Sequence, residues 1–181
     1  MRRKVFDDVP RIEGGRVTLR RLTEADIPML EELVASETVY RYEPTYLFER
    51  QYADMRVMLR DLYGACFTAK ESLILGVGVA GDGCACGLAE FYGLRDDAHK
   101  ISVGYRFLPR SWGRGIATEV VRLMVAWLYG QTDTEIITAS TMVENAASAR
   151  VLEKADFIRT ARSVEEDWGY SEPTLADKWF C

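Results

Sequence analysis

Phe107-Leu108-Pro109-Arg110-Ser111-Trp112-Gly113-Arg114-Gly115-Ile116-Ala117-Thr118 is the stretch on which the reading of this 181-residue chain turns. Before it runs an apolar, strand-like segment, Ile101 to Leu108. After it, Ile116, Val120, Val121, Met124, Val125 and Leu128 recur at helical spacing. A strand, a proline, a glycine-spaced turn and a helix start together make an anion site. The first N–H groups of the helix have no intrahelical acceptor, and the helix dipole places roughly half a positive charge there. Gly113 and Gly115 lack the Cβ atoms that would hold a phosphate away from the backbone. A pyrophosphate-bearing ligand is therefore expected, although a turn that simply needs glycines satisfies the same Gly-x-Gly.

Two nucleotide motifs fail on spacing. A phosphate loop of nucleotide hydrolases needs Lys and Ser or Thr after its last glycine, where this chain has Ile116 and Ala117. The dinucleotide fingerprint needs three glycines opening a βαβ unit near the chain start, with an acid about 20 residues on.

Composition sets the outer bounds. A chain of this length fits one domain, 1–181, with a full-sized core, and 48% hydrophobic with 28% charged residues is ordinary for a globular protein. No apolar run approaches the roughly 20 residues of a membrane helix. The opening Met-Arg-Arg-Lys lacks the apolar stretch of a secretion signal. The expectation is a cytoplasmic protein without membrane contact. A net charge of −5 argues against bulk electrostatic binding of nucleic acid and leans toward a basic, amine-bearing partner. Cys66, Cys84, Cys86 and Cys181 do not show metal-site spacing, and His99 is the one histidine, so no metal is expected. Cys84 and Cys86 read as small core residues on one face of a strand.

The pattern along the chain gives the element order. Val17 to Leu22 alternates as a strand. Thr23 with Asp26 reads as a helix start, and the helix runs to about Ser36. Pro44 breaks the chain, and Tyr46 to Tyr63 carries a helix or helix pair. Ser72 to Ala80 and Cys84 to Leu94 form a hairpin around Gly81-Asp82-Gly83. The strand His99 to Leu108 leads into the helix at about Gly113 to Tyr129. A strand from Glu135 to Met142, a short helix from Asn145 to Lys154, and strands Phe157 to Glu165 and Leu175 to Phe180 complete the order β-α-α-β-β-β-α-β-α-β-β.

Gly104-Tyr105-Arg106-Phe107-Leu108-Pro109 followed by Trp112-Gly113-Arg114-Gly115-Ile116-Ala117-Thr118-Glu119 resembles the acetyl-CoA motif of the GNAT superfamily of N-acyltransferases. The Trp-Gly-x-Gly-x-Ala-Thr-Glu wording is similar to the ribosomal-protein alanine N-acetyltransferase branch, with Trp112 at the superfamily's Gln/Arg position. Asn145-Ala-Ala-Ser148-Ala-Arg150-Val-Leu-Glu-Lys-Ala-Asp-Phe157 resembles that branch's Asn-x-x-Ser-x-x-x-Leu-Glu-Lys-x-Gly-Phe, with Asp156 in place of glycine. Val17 to Asp26 resembles its opening strand and helix. The resemblance implies an α+β (mixed α/β) GNAT fold. Its sheet would be mostly antiparallel and twisted, with about six to seven strands splayed between the fourth and fifth, flanked by about four helices.

It also implies acetyl transfer from acetyl-CoA to a primary amine, either a protein N-terminus or a small molecule, by direct attack in a ternary complex. A catalytically silent CoA sensor is the alternative from another class. The protein is expected to be a monomer or homodimer. Cofactor contacts carry over to Tyr105, Arg106, Phe107, Trp112, Gly113, Arg114, Gly115, Ile116, Ala117, Thr118, Asn145 and Ser148. The N–H groups of Gly113 to Ala117 would hold the pyrophosphate, and the pantetheine arm would lie along Tyr105 to Phe107. The Phe107 N–H would polarise the thioester carbonyl. Asn145 fits a pantetheine contact, a helix N-cap, or both.

The acid and base have several candidates. Many members carry a Tyr acid where this chain has Leu152, and Ser148 takes that role by resemblance unless it merely back-bonds inside its helix. The stretch Ile101-Ser102-Val103 lacks the family's strand-four carboxylate. Glu90 is the leading base candidate, followed by Glu165, Glu166, His99 and a water chain. Trp168, Gly169 and Tyr170 read as a loop edge that lines the acceptor pocket or as simple hairpin packing.

Overall fold

Val17 and Leu19 are buried while Thr18 and Arg20 are half-buried, and this alternation pairs β2 (Val17–Arg20) with β3 (Ser72–Val79). The computed structural model describes residues 2–42, 51–81, 84–168 and 170–181. In chain order the other elements are β1 (Ile12–Glu13), α1 (Ile27–Ala35), α2 (Glu37–Tyr40), α3 (Met55–Asp61), β4 (Ala85–Arg95) and β5 (Lys100–Phe107). They are followed by α4 (Ile116–Gln131), β6 (Ile136–Met142), α5 (Ala146–Lys154), β7 (Ile158–Glu166) and β8 (Thr174–Phe180). One sheet of eight strands runs in the order β1-β2-β3-β4-β5-β6-β8-β7.

The helices bury one stripe each and sort to the two sheet faces. On α4, Ile116, Val120, Val121, Met124, Trp127 and Leu128 are buried, and with Leu152 of α5 they pack on Phe91, Ile101, Val103 and Ile137. On the other face, Met29, Leu30 and Leu33 of α1 and Met55, Met58 and Leu59 of α3 pack on Ile74 and Leu88. Pro28 sits in the first turn of α1, where its missing N–H costs nothing. Asp26 is fully buried at that helix start and draws in the guanidinium of Arg20, the Thr23 N–H and the Ala85 N–H. Tyr63 fastens the second layer: its hydroxyl donates to the Ile74 carbonyl at 2.9 Å and accepts from the Leu22 N–H at 2.7 Å. Burial pushes that phenol up to about 12.

Several details differ from the sequence reading. The sheet has eight strands because the two-residue β1 adds to the N-terminal edge, and five α-helices are present among the described residues. β2 stops at Arg20, since the Leu22 N–H goes to Tyr63 rather than to a strand. Pro44, Tyr46 to Arg50 and Asp82-Gly83 of the hairpin turn lie outside the described residues. The expected second helix is α3, continued by a π turn over Leu62–Cys66. Cys86 is buried, but Cys84 is exposed, because the strand begins at Ala85 and Cys84 still belongs to the turn. Asp156 takes φ 65° at the end of α5, the left-handed conformation its side chain tolerates in place of glycine. No helix among the described residues is long and apolar enough to cross a membrane.

Candidate active site

β5 and β6 are the sheet's parallel strand pair among the described residues, and they pair only from Lys100↔Ile136 to Ser102↔Thr138. Beyond that the strands part, β5 running on to Phe107 and β6 to Met142. This is the expected splay between the fourth and fifth strands, counted without β1.

The ladder on the other side of β5 sets what faces the gap. Leu108 donates its N–H to the Cys86 carbonyl at 3.2 Å, and antiparallel ladders alternate bonded and non-bonded residues. In the register Leu88↔Arg106, Glu90↔Gly104, Tyr92↔Ser102, Ser102, Gly104 and Arg106 therefore turn their backbone groups to β4. Val103, Tyr105 and Phe107 turn theirs toward β6 and the gap. The indole Nε1 of Trp112 donates to the Phe107 carbonyl at 2.8 Å, so Trp112 fixes the peptide at the end of the strand. The Phe107 N–H points to the same side of the strand as that carbonyl.

The glycine turn follows directly. Pro109–Ser111 form a 3₁₀ turn, Gly113 and Gly115 adopt φ 71° and 75°, and Gly115 is the N-cap of the 16-residue α4. Positive φ is the reason for both glycines. Residues 112–115 are exposed, so the first N–H groups of α4 open to solvent beside the mouth of the splay. Arg16, which the sequence reading missed, comes from the β1–β2 turn to stand over this loop. Its Nη2 lies 3.8 Å from where a Cβ on Gly115 would be. Glu119 holds it there, accepting from the Arg16 backbone N–H and from Nε at 2.8 Å each. Burial alone would raise the Glu119 carboxyl, but these bonds outweigh it and hold the group below the usual carboxylate range.

Across the gap stands the N-terminus of α5. The Asn145 side-chain oxygen accepts the Ser148 N–H at 3.1 Å, which makes it the N-cap while it also lines the cavity. The Ser148 hydroxyl lies 2.8 Å from the Tyr105 hydroxyl. A cavity of about 520 Å³ fills the splay. By the strand alternation, Tyr105, Thr141, Asn145, Ser148 and Leu152 line it from the α4–α5 face. Tyr92, Ser140, Glu166, Trp168 and Lys178 line it from the α1–α3 face. The cavity thus passes through the sheet.

The candidate carboxylates divide sharply. Glu90 is 3% exposed, takes the Ser72 hydroxyl and pairs with the buried Arg106 guanidinium at 3.2 Å. Neither Glu90 nor the Arg106 side chain lines the cavity, so the structure does not bring Glu90 together with Ser148. Glu165 pairs with Leu175 on the opposite face. Glu166 does line the cavity, holding the Lys178 ammonium and accepting from the Trp168 indole at 2.9 Å. Lys178 in turn donates to the Ser140 hydroxyl at 3.2 Å. His99 stands at the strand entrance, 3.5 Å from Asp133. Gly169 lies outside the described residues, and Tyr170 lines a separate shallow pocket with Arg41 and Leu175.

Comparisons with known proteins bear on this arrangement. A family described as an acetyltransferase (GNAT) domain matches residues 16–158. The uncharacterized N-acetyltransferase YoaA of Bacillus subtilis is 24% identical over 148 residues, 82% of each chain. The spermidine N-acetyltransferase of Vibrio cholerae, solved with CoA and spermine, superposes with a TM-score of 0.74 at 18% identity, covering 93% of this chain and 96% of that one. RimL, a ribosomal L7/L12 alpha-N-protein acetyltransferase solved with coenzyme A, gives a TM-score of 0.74 at 13% identity, covering 95% and 97%.

Proposed function

The chain belongs to the GNAT acetyltransferase family, with acetyl-CoA as the family's cosubstrate, and from that premise we propose that it acetylates a primary amine entering from the α1–α3 face. The observation that carries this reading is the cavity through the sheet, lined by Tyr105, Asn145 and Ser148 on one face and by Glu166 and Lys178 on the other, with the exposed glycine turn following the end of β5.

Acetyl-CoA supplies an activated acyl carbon and a thiolate leaving group. The N–H groups of Gly113 to Ala117 hold its pyrophosphate, with Arg16 and Arg114 adding positive charge, and the backbone of Tyr105 to Phe107 pairs with the pantetheine arm. Phe107 offers its N–H to the thioester oxygen, where negative charge develops in the transition state. Asn145 caps α5 and presents a side chain to the pantetheine. Ser148 gives its proton to the departing sulfur. Glu166, held by Lys178 and Trp168, draws in the acceptor's ammonium and takes its proton. That task is small for an α-amine, whose pKa lies near 8. Glu90 has no place in this scheme, because its carboxylate is committed to Arg106 inside the core.

The acceptor has two readings. The Trp112 to Glu119 wording supports a protein N-terminus, while the fold shared equally with a polyamine enzyme leaves a small amine in play. Isothermal titration with acetyl-CoA, run beside thiol release on a panel of peptide N-termini, amino acids, amino sugars and polyamines, tests the proposal. Turnover of at least one amine is expected. Tight binding without turnover on any of them would make the chain a sensor and overturn the enzymatic reading.

A further inference from the structure

The Ser148 hydroxyl is not alone in the cavity. It lies 2.8 Å from the phenol of Tyr105, which projects from β5 on the same face as α5, and both side chains line the splay. The ring of Tyr105 is set against Phe107, with centroids 5.9 Å apart. Leu152, one helical turn beyond Ser148 in the same cavity, is a buried aliphatic residue with no proton to give. A tyrosine hydroxyl therefore reaches this place from a strand instead of from the helix.

We propose that Tyr105 is a positioning residue that completes the proton path to the leaving group through Ser148. This inference rests on the acetyl-transfer reading above. The chemistry gives the reason for two hydroxyls. An aliphatic hydroxyl is too weak an acid to surrender its proton to a thiolate and keep the negative charge. A phenol ionises near pH 10 and a thiol near 8.5, which is a short step. As the amine nitrogen bonds to the acyl carbon and the C–S bond breaks, the sulfur takes the proton of Ser148 Oγ. Ser148 Oγ takes the proton of Tyr105 Oη in the same movement. The phenolate regains a proton from the one the amine releases through solvent, so one amine and one thioester give one amide and one thiol.

The pair also forms a hydrogen-bonding seat for sulfur, which can be read without turnover. Tyr105→Phe keeps the ring and removes only the hydroxyl. In titration calorimetry the parent is expected to bind CoA several-fold more tightly than desulfo-CoA, and Tyr105→Phe should reduce that preference while binding desulfo-CoA as the parent does. In kinetics, kcat should fall about ten- to a hundredfold, a share of the roughly 10²–10⁴-fold contributed by one general acid. The acetyl-CoA KM should hold, and the alkaline limb of the kcat–pH profile should move.

Ser148→Ala combined with Tyr105→Phe should be no slower than Ser148→Ala alone, because both act on one proton path. A Tyr105→Phe protein that keeps the CoA preference over desulfo-CoA, with kcat within threefold of the parent and an unmoved pH profile, would overturn the relay. An inactive parent that still shows the CoA preference would instead refute acetyl transfer and leave the sulfur seat standing.

Discussion

Replacing Asp26 with Asn puts a number on the fastening between the first helix and the sheet. Asp26 is fully buried. Its two oxygens take the Arg20 guanidinium at 2.8 Å each, the Thr23 N–H at 2.9 Å and the Ala85 N–H at 3.0 Å. Burial by itself would raise this carboxyl, but the bonds, led by Arg20, outweigh it and bring the group from 3.8 down to about 2. Because the folded value is the lower one, the ionised form is worth more in the folded state. The stabilisation is present in full above about pH 4 and drains away as pH falls toward 2. A shift of that size corresponds to about 2 kcal/mol at neutral pH. Breaking a buried pair can cost about 3–5 kcal/mol, but the Arg20 side chain is 23% exposed and water can reach it. The expected loss for Asp26→Asn is therefore about 2–3 kcal/mol at pH 7, narrowing by about 1 kcal/mol at pH 3. Urea unfolding of parent and variant across that range measures it. A loss below about 0.5 kcal/mol at pH 7, or one equally large at pH 3, would show that the Asp26 charge is not what holds the helix to the sheet.

Three substitutions bear on the site. Gly115→Val should raise the CoA Kd tenfold or more and cost about 1–2 kcal/mol of stability through its φ of 75°; unchanged CoA affinity in a folded variant would remove the phosphate role from this turn. Ser148→Ala should lower kcat by about 10²–10⁴-fold with little change in acetyl-CoA KM. If kcat stays within threefold of the parent, Ser148 is only a helix residue and the variant should be slightly more stable. Glu166→Gln should depress kcat/KM for the amine near neutral pH and leave CoA affinity intact, and a steady-state pH profile recovering toward alkaline pH, where the amine is already neutral, is the expected signature. A profile that matches the parent's at every pH would exclude Glu166 as the proton acceptor.

The turn and its helix were legible because glycine spacing and helical periodicity are local properties: Gly113 and Gly115 make the turn, and Ile116, Val120, Val121, Met124 and Leu128 are buried as read, while α4 starts at Ile116 rather than Gly113 and buries Trp127 where Val125 is only half-buried. The carboxylates were not legible, because their roles depend on register and on strand faces. Glu90 meets Arg106 through a β4–β5 register set over sixteen residues of chain, and no period in either strand announces that pair. β7 is harder still. Its pairing with β8 shifts between Arg159 and Ala161 and again between Ala161 and Val164, and Ser163 takes φ 51° with its N–H on Asp177 at 3.0 Å. Each shift offsets the in-out alternation, so whether Glu165 or Glu166 turns to the cavity cannot be counted from the sequence. Arg16 belongs to the same class, since a residue in the β1–β2 turn reaches the α4 loop only through its tertiary bond to Glu119. The Tyr105–Ser148 contact joins residues 43 apart and is likewise a product of the splay.

The parting of β5 from β6 after Ser102 makes the proposed grip on the cosubstrate almost independent of spelling. In the proposed binding mode the groups offered along 103–107 and 113–117 are main-chain N–H and C=O, which every residue but proline supplies in full. Exchanging one side chain there alters shape and strain but leaves the donors in place. What must persist through generations of substitution is the angle between two strands and the left-handed turn before a helix, and those are properties of packing more than of letters. A site built this way can tolerate wide changes in sequence while keeping one chemistry, and the freedom it releases falls to the other face of the sheet, where Tyr92, Glu166, Trp168 and Lys178 line the proposed amine mouth with side chains.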